Sequence, residues 1–141
     1  MRILIIGKNG QLGRSISKIV SADNLTDSSL SKDEFIFVGR DELNLECPKN
    51  INDYFRNHKF DIIINCAAYT AVDKAEENIE LANRINHLAV KQIANIINKE
   101  RCKLIHVSTD YVFNGENIKT YFEIDDTNPI NVYGITKCAG E

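Results

Sequence analysis

The sequence lacks the features that would commit a chain to a membrane, a metal or a nucleic acid. No apolar run approaches the roughly 20 residues that a bilayer span needs, and the opening run Ile3–Ile6 is far too short for the core of a secretory signal. Cys47, Cys66, Cys102 and Cys138 form no CxxC pair and have no histidine at metal-ligand spacing, so no metal is expected there. Scattered cysteines without an export signal read as free cytosolic thiols. Cys138 beside Lys137 is a candidate for a lowered thiol pKa, but an ordinary thiol is the preferred reading. There is no excess of basic charge: 17 Lys and Arg against 20 Asp and Glu give a net charge of −3. That balance gives no reason to expect nucleic acid or an acidic membrane surface as a partner. Repeats and low-complexity tracts are also missing.

What is present suits one domain with a real core: 141 residues, 43% hydrophobic and 26% charged. Short apolar runs alternate with longer helical periodicity. Ile3–Ile6, Phe35–Val38, Phe60–Ile64 and Leu104–Val107 are compact and mostly β-branched or aromatic, as in strands buried on both faces of a parallel sheet. Leu43–Leu45 is a candidate edge strand. Leu12, Ile16, Ile19 and Val20 form one helical face; Ile51, Tyr54, Phe55 and His58 form another, with Pro48 in its first turn. The longest helix is predicted over about 76–99, where Leu81, Ile85, Leu88, Ala89, Ile93, Ile96 and Ile97 repeat at three and four. The polar stretch Ser21–Glu34 reads as a mobile surface insertion. This alternation predicts a doubly wound α/β parallel sheet, Rossmann-like, with right-handed crossovers and the spatial order 3-2-1-4-5. Residues 1–141 are expected to form a single dinucleotide-binding domain of that kind.

Three glycines, Gly7, Gly10 and Gly13, sit between the first strand and the first helix. In a dinucleotide fold they have separate tasks: a tight turn, close approach of a pyrophosphate, and close helix–strand packing. The helix start adds unpaired N–H groups and partial positive charge, and Lys8 is a candidate phosphate partner. The spacing is GxxGxxG, and a plain tight turn explains the glycines alone. The acid expected at the end of the second strand is absent. That strand ends Val38-Gly39-Arg40, and Arg tolerates a ribose 2′-phosphate where a carboxylate favours the free hydroxyl. A solvated Arg at a strand end is the plain alternative.

Near the C-terminus, Tyr133 and Lys137 stand four residues apart, on one face of a helix. Asn128 and Pro129 look like its cap and first turn. A free phenol has a pKa of about 10; a neighbouring ammonium stabilises phenolate, and bringing that pKa down to about 7 takes roughly 4 kcal/mol. That tunes Tyr133 as the general acid for a carbonyl receiving hydride. Thr109 follows the fourth long strand, and ligands in open α/β sheets bind beyond such strand ends. Its hydroxyl is therefore a candidate hydrogen-bond donor to the reacting carbonyl oxygen. The plain alternative is a Thr capping the strand end and a surface Tyr.

These stretches match a known family. The chain resembles the N-terminal half of dTDP-4-dehydrorhamnose reductases, members of the extended short-chain dehydrogenase/reductase superfamily. The resemblance rests on GKNGQLG at 7–13, GRDELNL at 39–45, NCAAYTAVDKAE at 65–76, STDYVFNG at 108–115 and YFEIDDTNPINVYGITKCAGE at 121–141. It implies reduction of the 4-keto group of dTDP-4-dehydro-L-rhamnose to dTDP-L-rhamnose, with NADPH or NADH as cofactor, in the cytoplasm. Thr109, Tyr133 and Lys137 match the catalytic positions, with Tyr133 donating the proton and Lys137 binding the nicotinamide ribose. Asp110 and Tyr111, with Thr109, match positions near the substrate. Cofactor contacts are implied for Gly10, Gln11, Leu12, the Arg40 region, Ala67, Ala68, Tyr69, Tyr133 and Lys137, beside Gly7 and Gly13 of the loop. Asn86 matches a family position whose role is mainly structural.

The departures are specific. Asn44 replaces a frequent Asp near adenine, and Cys66 replaces a usual Ala. Arg14, Ser15 and Ser17 occupy the turn where some members carry an acid that helps hold a magnesium-bridged dimer, so no metal is expected. The family's chains are longer, and their second half builds much of the sugar-nucleotide pocket. The expectation is a truncated, fragmentary or split reductase, whose partners are the nucleotide-sugar substrate and either a second copy or a complementing C-terminal half. Two other classes compete: a non-catalytic nucleotide-binding or regulatory subunit, and another sugar-nucleotide epimerase or dehydratase.

Overall fold

The computed structural model describes residues 1–21, 33–98, 101–116 and 120–141. The expected surface insertion at 21–34 lies largely outside the described residues. The elements run β1 (Arg2–Ile6), α1 (Gln11–Ser21), β2 (Glu34–Val38), α2 (Pro48–Asn57), β3 (Ile62–Asn65), α3 (Val72–Glu77) and α4 (Ile79–Asn83). A π-helical turn (Arg84–Leu88), α5 (Ala89–Ile97), β4 (Lys103–His106), a 3-10 turn (Asp110–Val112) and α6 (Val132–Cys138) complete them. No described helix is long and apolar enough to cross a membrane.

The chain divides into two compact units, residues 1–68 with 92–107 and residues 69–91 with 108–141. The first holds the sheet. Its four strands are all parallel in the order β2-β1-β3-β4. Ile5, at the centre, pairs with Phe37 on one side and Ile64 on the other. Leu4, Ile5 and Ile63 are fully buried, which is why their runs are continuous rather than alternating. Burying such a side chain contributes about 1.5–3 kcal/mol.

The structure departs from the sequence-based expectations in three places. Leu43–Leu45 is not an edge strand but part of a turn, anchored by the Leu43 N–H on the Gly39 carbonyl at 2.9 Å, with Leu43 and Leu45 buried. The described sheet therefore has four strands instead of the five in the order 3-2-1-4-5; with that segment removed, the remaining order is as expected. β4 is not buried on both faces: it is the edge of the described sheet, and Ile105 is 51% exposed. The single long helix is interrupted. Asn78, at φ −122° and ψ 48°, separates α3 from α4, and its N–H and side-chain amide both return to the Lys74 carbonyl. Periodicity carries through this region because a break of one residue preserves the apolar spacing.

Pro48 begins α2 as expected, and Ile51 and Phe55 are its buried face. In α1 only Gly13 is fully buried; Leu12 and Ile19 of the predicted face are exposed. The second unit packs α3, α4, the π-helical turn and the 3-10 turn with α6.

Candidate functional site

In the sheet unit, the three glycines divide their work. Gly7 has φ +94°, and a Cβ there would lie 2.8 Å from the Ala67 nitrogen, so only glycine lets the loop after β3 come this close. A Cβ on Gly13 would lie 2.3 Å from the Gly7 carbonyl oxygen, which sets the start of α1 directly on the turn. Gly10 is exposed and donates to the Gly7 carbonyl at 3.0 Å. Its own carbonyl accepts the first helical bond, from Arg14. The N–H groups of Gln11 and Leu12 follow at exposed positions in the first turn, where a helix has no acceptor of its own to offer them. This open cradle of donors at a helix start suits a diphosphate. Cys66 donates its N–H to the Ile6 carbonyl at 2.9 Å, which brings Ala67 beside the turn with Ala68 next in the chain, and burial pushes the Cys66 thiol pKa up.

The predicted cations in this unit are both engaged. Lys8 forms an ion pair with Glu42, and Arg40, largely exposed, forms one with Glu46. Sequence reasoning missed Glu42 because the acid of a dinucleotide fold is expected at the last residue of β2. The available signal was its spacing: three residues past Gly39, its carboxylate returns to the Gly39 N–H at 2.8 Å. The Lys8 ammonium and the Gly39 N–H hold its carboxyl below the usual carboxylate range.

In the helical unit, α6 carries Tyr133 and Lys137 one turn apart. Its start is not Asn128-Pro129, as expected. Asn131 is the cap, accepting the Gly134 N–H at 2.7 Å, and Glu76 of α3 accepts the Val132 N–H at 2.8 Å. Asn128 is used otherwise, donating its N–H to the Val112 carbonyl at 2.9 Å. Glycine at 134 is required by approach: a Cβ would fall 2.2 Å from the Tyr111 carbonyl oxygen. This contact packs the 3-10 turn, with Thr109, Asp110 and Tyr111, against α6. The rings of Tyr111 and Tyr133 meet edge to face at 5.5 Å.

Thr109 caps the 3-10 turn. Its hydroxyl donates to Asp110 at 3.1 Å and accepts the Tyr111 N–H at 3.3 Å. Lys137 is buried to 2% exposure, and burial pulls its pKa down, with the Glu141 carboxylate opposing. Asn86, on the π-helical turn, holds the loop at Tyr69: it accepts the Tyr69 N–H at 2.8 Å and donates to the Tyr69 carbonyl at 3.1 Å. It also donates to Thr136 at 3.1 Å, and Thr136 donates to the Tyr133 carbonyl at 3.0 Å. The structural role expected for Asn86 is thus a bracket joining Tyr69 to α6. Tyr69, Thr109, Asp110, Tyr111, Tyr133 and Lys137 lie in this unit; Gly7, Gly10, Gln11, Leu12, Gly13, Arg40, Ala67 and Ala68 lie in the other. The four cysteines are free thiols, as expected; Cys138 lies near Thr127, its sulfur 3.4 Å from the hydroxyl.

Known proteins resemble the chain along its whole length. The dTDP-4-dehydrorhamnose reductase of Salmonella typhimurium is 39% identical over 142 residues, covering 100% of this chain and 46% of that protein. A crystal structure of a dTDP-4-dehydrorhamnose reductase from Clostridium acetobutylicum superposes with a TM-score of 0.88 at 39% identity, covering 99% of this chain and 47% of that one. The Bacillus anthracis enzyme of that name, solved in complex with NADP, superposes with a TM-score of 0.85 at 33% identity, covering 99% and 47%. The chain therefore spans a little under half the length of these relatives. Residues 1–141 match the RmlD substrate binding domain along their whole length, and the chain belongs to that family, the dTDP-4-dehydrorhamnose reductases.

Proposed function

We propose that this chain supplies the dinucleotide-binding loop and the proton-donating helix of an NADPH- or NADH-dependent reductase. Its substrate is dTDP-4-dehydro-L-rhamnose, reduced at the 4-keto group to dTDP-L-rhamnose. The observation that carries the reading is the close approach of Gly134 to the Tyr111 backbone. It packs the turn bearing Thr109 against the helix bearing Tyr133 and Lys137. A hydroxyl, a phenol and an amine in one compact unit are what a carbonyl reduction asks of a protein.

A reduced dinucleotide, its diphosphate held in the glycine cradle, would supply the hydride for C4 of the sugar. Tyr133 gives its phenolic proton to the 4-oxygen as that oxygen gains charge, so the C=O double bond becomes a C–H and an O–H bond. Lys137, one turn on, stabilises the phenolate left behind and binds the nicotinamide ribose. Thr109 turns its hydroxyl from Asp110 to the carbonyl oxygen, and Asp110 and Tyr111 border the sugar. Gly7, Gly10, Gln11, Leu12 and Gly13 hold the pyrophosphate by backbone donors, with Arg40, Ala67, Ala68 and Tyr69 along the remaining cofactor. In a protein of the relatives' length, a following half completes the sugar-nucleotide pocket; a second copy or a separate complementing chain is the other way to complete it. A cytoplasmic location is part of this reading, supported by cysteines that form no disulfide.

The test is isotopic. The protein is incubated with dTDP-4-dehydro-L-rhamnose and reduced dinucleotide doubly deuterated at the nicotinamide C4, and the sugar nucleotide is read by mass spectrometry. The expected product carries one deuterium at C4 of the sugar. Dinucleotide binding with no deuterium transfer would leave only a nucleotide-binding module.

A further inference from the structure

We infer that Glu42, rather than Arg40, sets which dinucleotide the glycine loop prefers, accepting a hydrogen bond from the adenosine ribose and disfavouring a 2′-phosphate. The inference rests on the dinucleotide-binding role proposed above and assigns a specificity determinant within it.

The end of β2 is stitched to the glycine loop. The Val38 carbonyl accepts the N–H groups of both Gly7, at 2.9 Å, and Lys8, at 3.0 Å. Gly39 follows immediately, and a Cβ there would lie 3.0 Å from the Asn9 amide nitrogen and 3.2 Å from the Lys8 Cε. The surface over Gly39 is thus shared between the strand end and the loop. In dinucleotide folds this junction faces the adenosine ribose, and an acid there takes the 2′-hydroxyl.

No acid stands at the strand end itself, but one returns to it. Glu42 accepts the Gly39 N–H through one carboxylate oxygen, at 2.8 Å, and the Lys8 ammonium through the other. Two anchors from two segments fix this carboxylate at the junction, while its side chain remains 42% exposed and open to a ligand. Each carboxylate oxygen has two lone pairs, so an acceptor site is left over for a ribose hydroxyl. The same two contacts lower its pKa and so favour the ionised carboxylate.

The cations do not offset it. Lys8 is held by Glu42 and Arg40 by Glu46, so the two positive charges meet two negative ones at this junction. Exposed Asp41 adds a further carboxylate. A 2′-phosphate at this junction would lie against the Glu42 carboxylate, with both nearby cations already paired to acids. A neutral hydroxyl meets no such repulsion. Arg40 keeps further guanidinium donors, but its charge and that of Lys8 act on a phosphate at full strength only when their carboxylates are neutralised.

The experiment titrates NADH and NADPH separately into the full chain by nicotinamide fluorescence, for the wild type, Glu42→Gln and Glu46→Gln. Gln at 42 keeps an acceptor for the Gly39 N–H, so the turn is retained. The ratio of the two affinities is unaffected by any general loss of folded protein. The wild type should bind NADH at least threefold tighter than NADPH. Glu42→Gln should move the ratio at least tenfold toward NADPH, and Glu46→Gln, which frees only Arg40, about threefold. A wild-type preference for NADPH above tenfold, a ratio unmoved in Glu42→Gln, or a larger shift in Glu46→Gln would each overturn the role of Glu42 while leaving dinucleotide binding intact. Failure of both dinucleotides to bind the wild type would remove the binding role and this inference together.

Discussion

Large aliphatic and aromatic side chains fill the sheet unit: Leu4, Ile5, Ile51, Phe55, Ile63 and Ile93 are all at or near zero exposure. The helical unit buries Ala75, Ala82, Ala89 and Val112 instead, and beside them the polar groups Asn86, Thr136 and Lys137. One unit is held by apolar area, the other by small residues, close backbone approaches and a hydrogen-bonded bracket. On the proposed function, the difference suits what each unit would do. A sheet needs only a stable platform whose strand ends present a loop. A helix that delivers a phenol and an amine needs a fixed position, and hydrogen bonds with glycine contacts specify position more sharply than apolar packing does.

The comparison can be broken most forcefully in the sheet. Ile63→Ala removes a fully buried side chain from β3, and should lower stability by about 3–4 kcal/mol, measured by urea unfolding followed by far-UV circular dichroism. Gly134→Ala adds a single methyl and should cost about 2–3 kcal/mol, because the intruded atom is the Tyr111 backbone oxygen and not a side chain that can swing away. The near-UV signal of Tyr111 and Tyr133 should change in that variant while the same signal in Ile63→Ala is retained in the folded fraction.

The smallest effects lie in alkaline pH, and they have opposite signs in the two units. Burial raises the Tyr54 pKa in the sheet unit, so the unfolded chain loses that proton first and stability falls as pH rises through about 10. Burial lowers the Lys137 pKa in the helical unit, so the unfolded chain holds more protons below 10.5 and stability rises with pH in that window. Tyr54→Phe should remove the fall and Lys137→Met the rise, both read from midpoints of urea unfolding between pH 8 and about 11.

The same contrast explains what was legible in the sequence. Strands β1, β2 and β3 announce themselves because continuous β-branched runs have no other stable use in a short chain. The glycine loop was equally legible, since its spacing is a backbone requirement. Leu43–Leu45 misled because a buried turn and a short edge strand share one apolar pattern. The break at Asn78 and the cap at Asn131 were hidden for a related reason: one turns on bonds to the Lys74 carbonyl and the other on the Gly134 N–H, and periodicity registers neither. Glu42 shows the same limit. Its importance lies in two contacts, to Gly39 and Lys8, and only the second is remote in sequence. Tyr133 and Lys137 were legible as a pair by spacing, but the depth of Lys137 burial was not, because lysine is usually exposed.

The central claim is that dinucleotide affinity belongs to the glycine loop of the sheet unit and proton donation to Tyr133 of the helical unit. Tyr133→Phe tests it most directly, with turnover of dTDP-4-dehydro-L-rhamnose and the dinucleotide Kd measured on the same preparation. Turnover should fall by at least about a hundredfold while the Kd stays within about threefold of the wild type, since only one hydroxyl is removed. Turnover retained within tenfold of the wild type, or a Kd that weakens in step with the loss of turnover, would contradict the account.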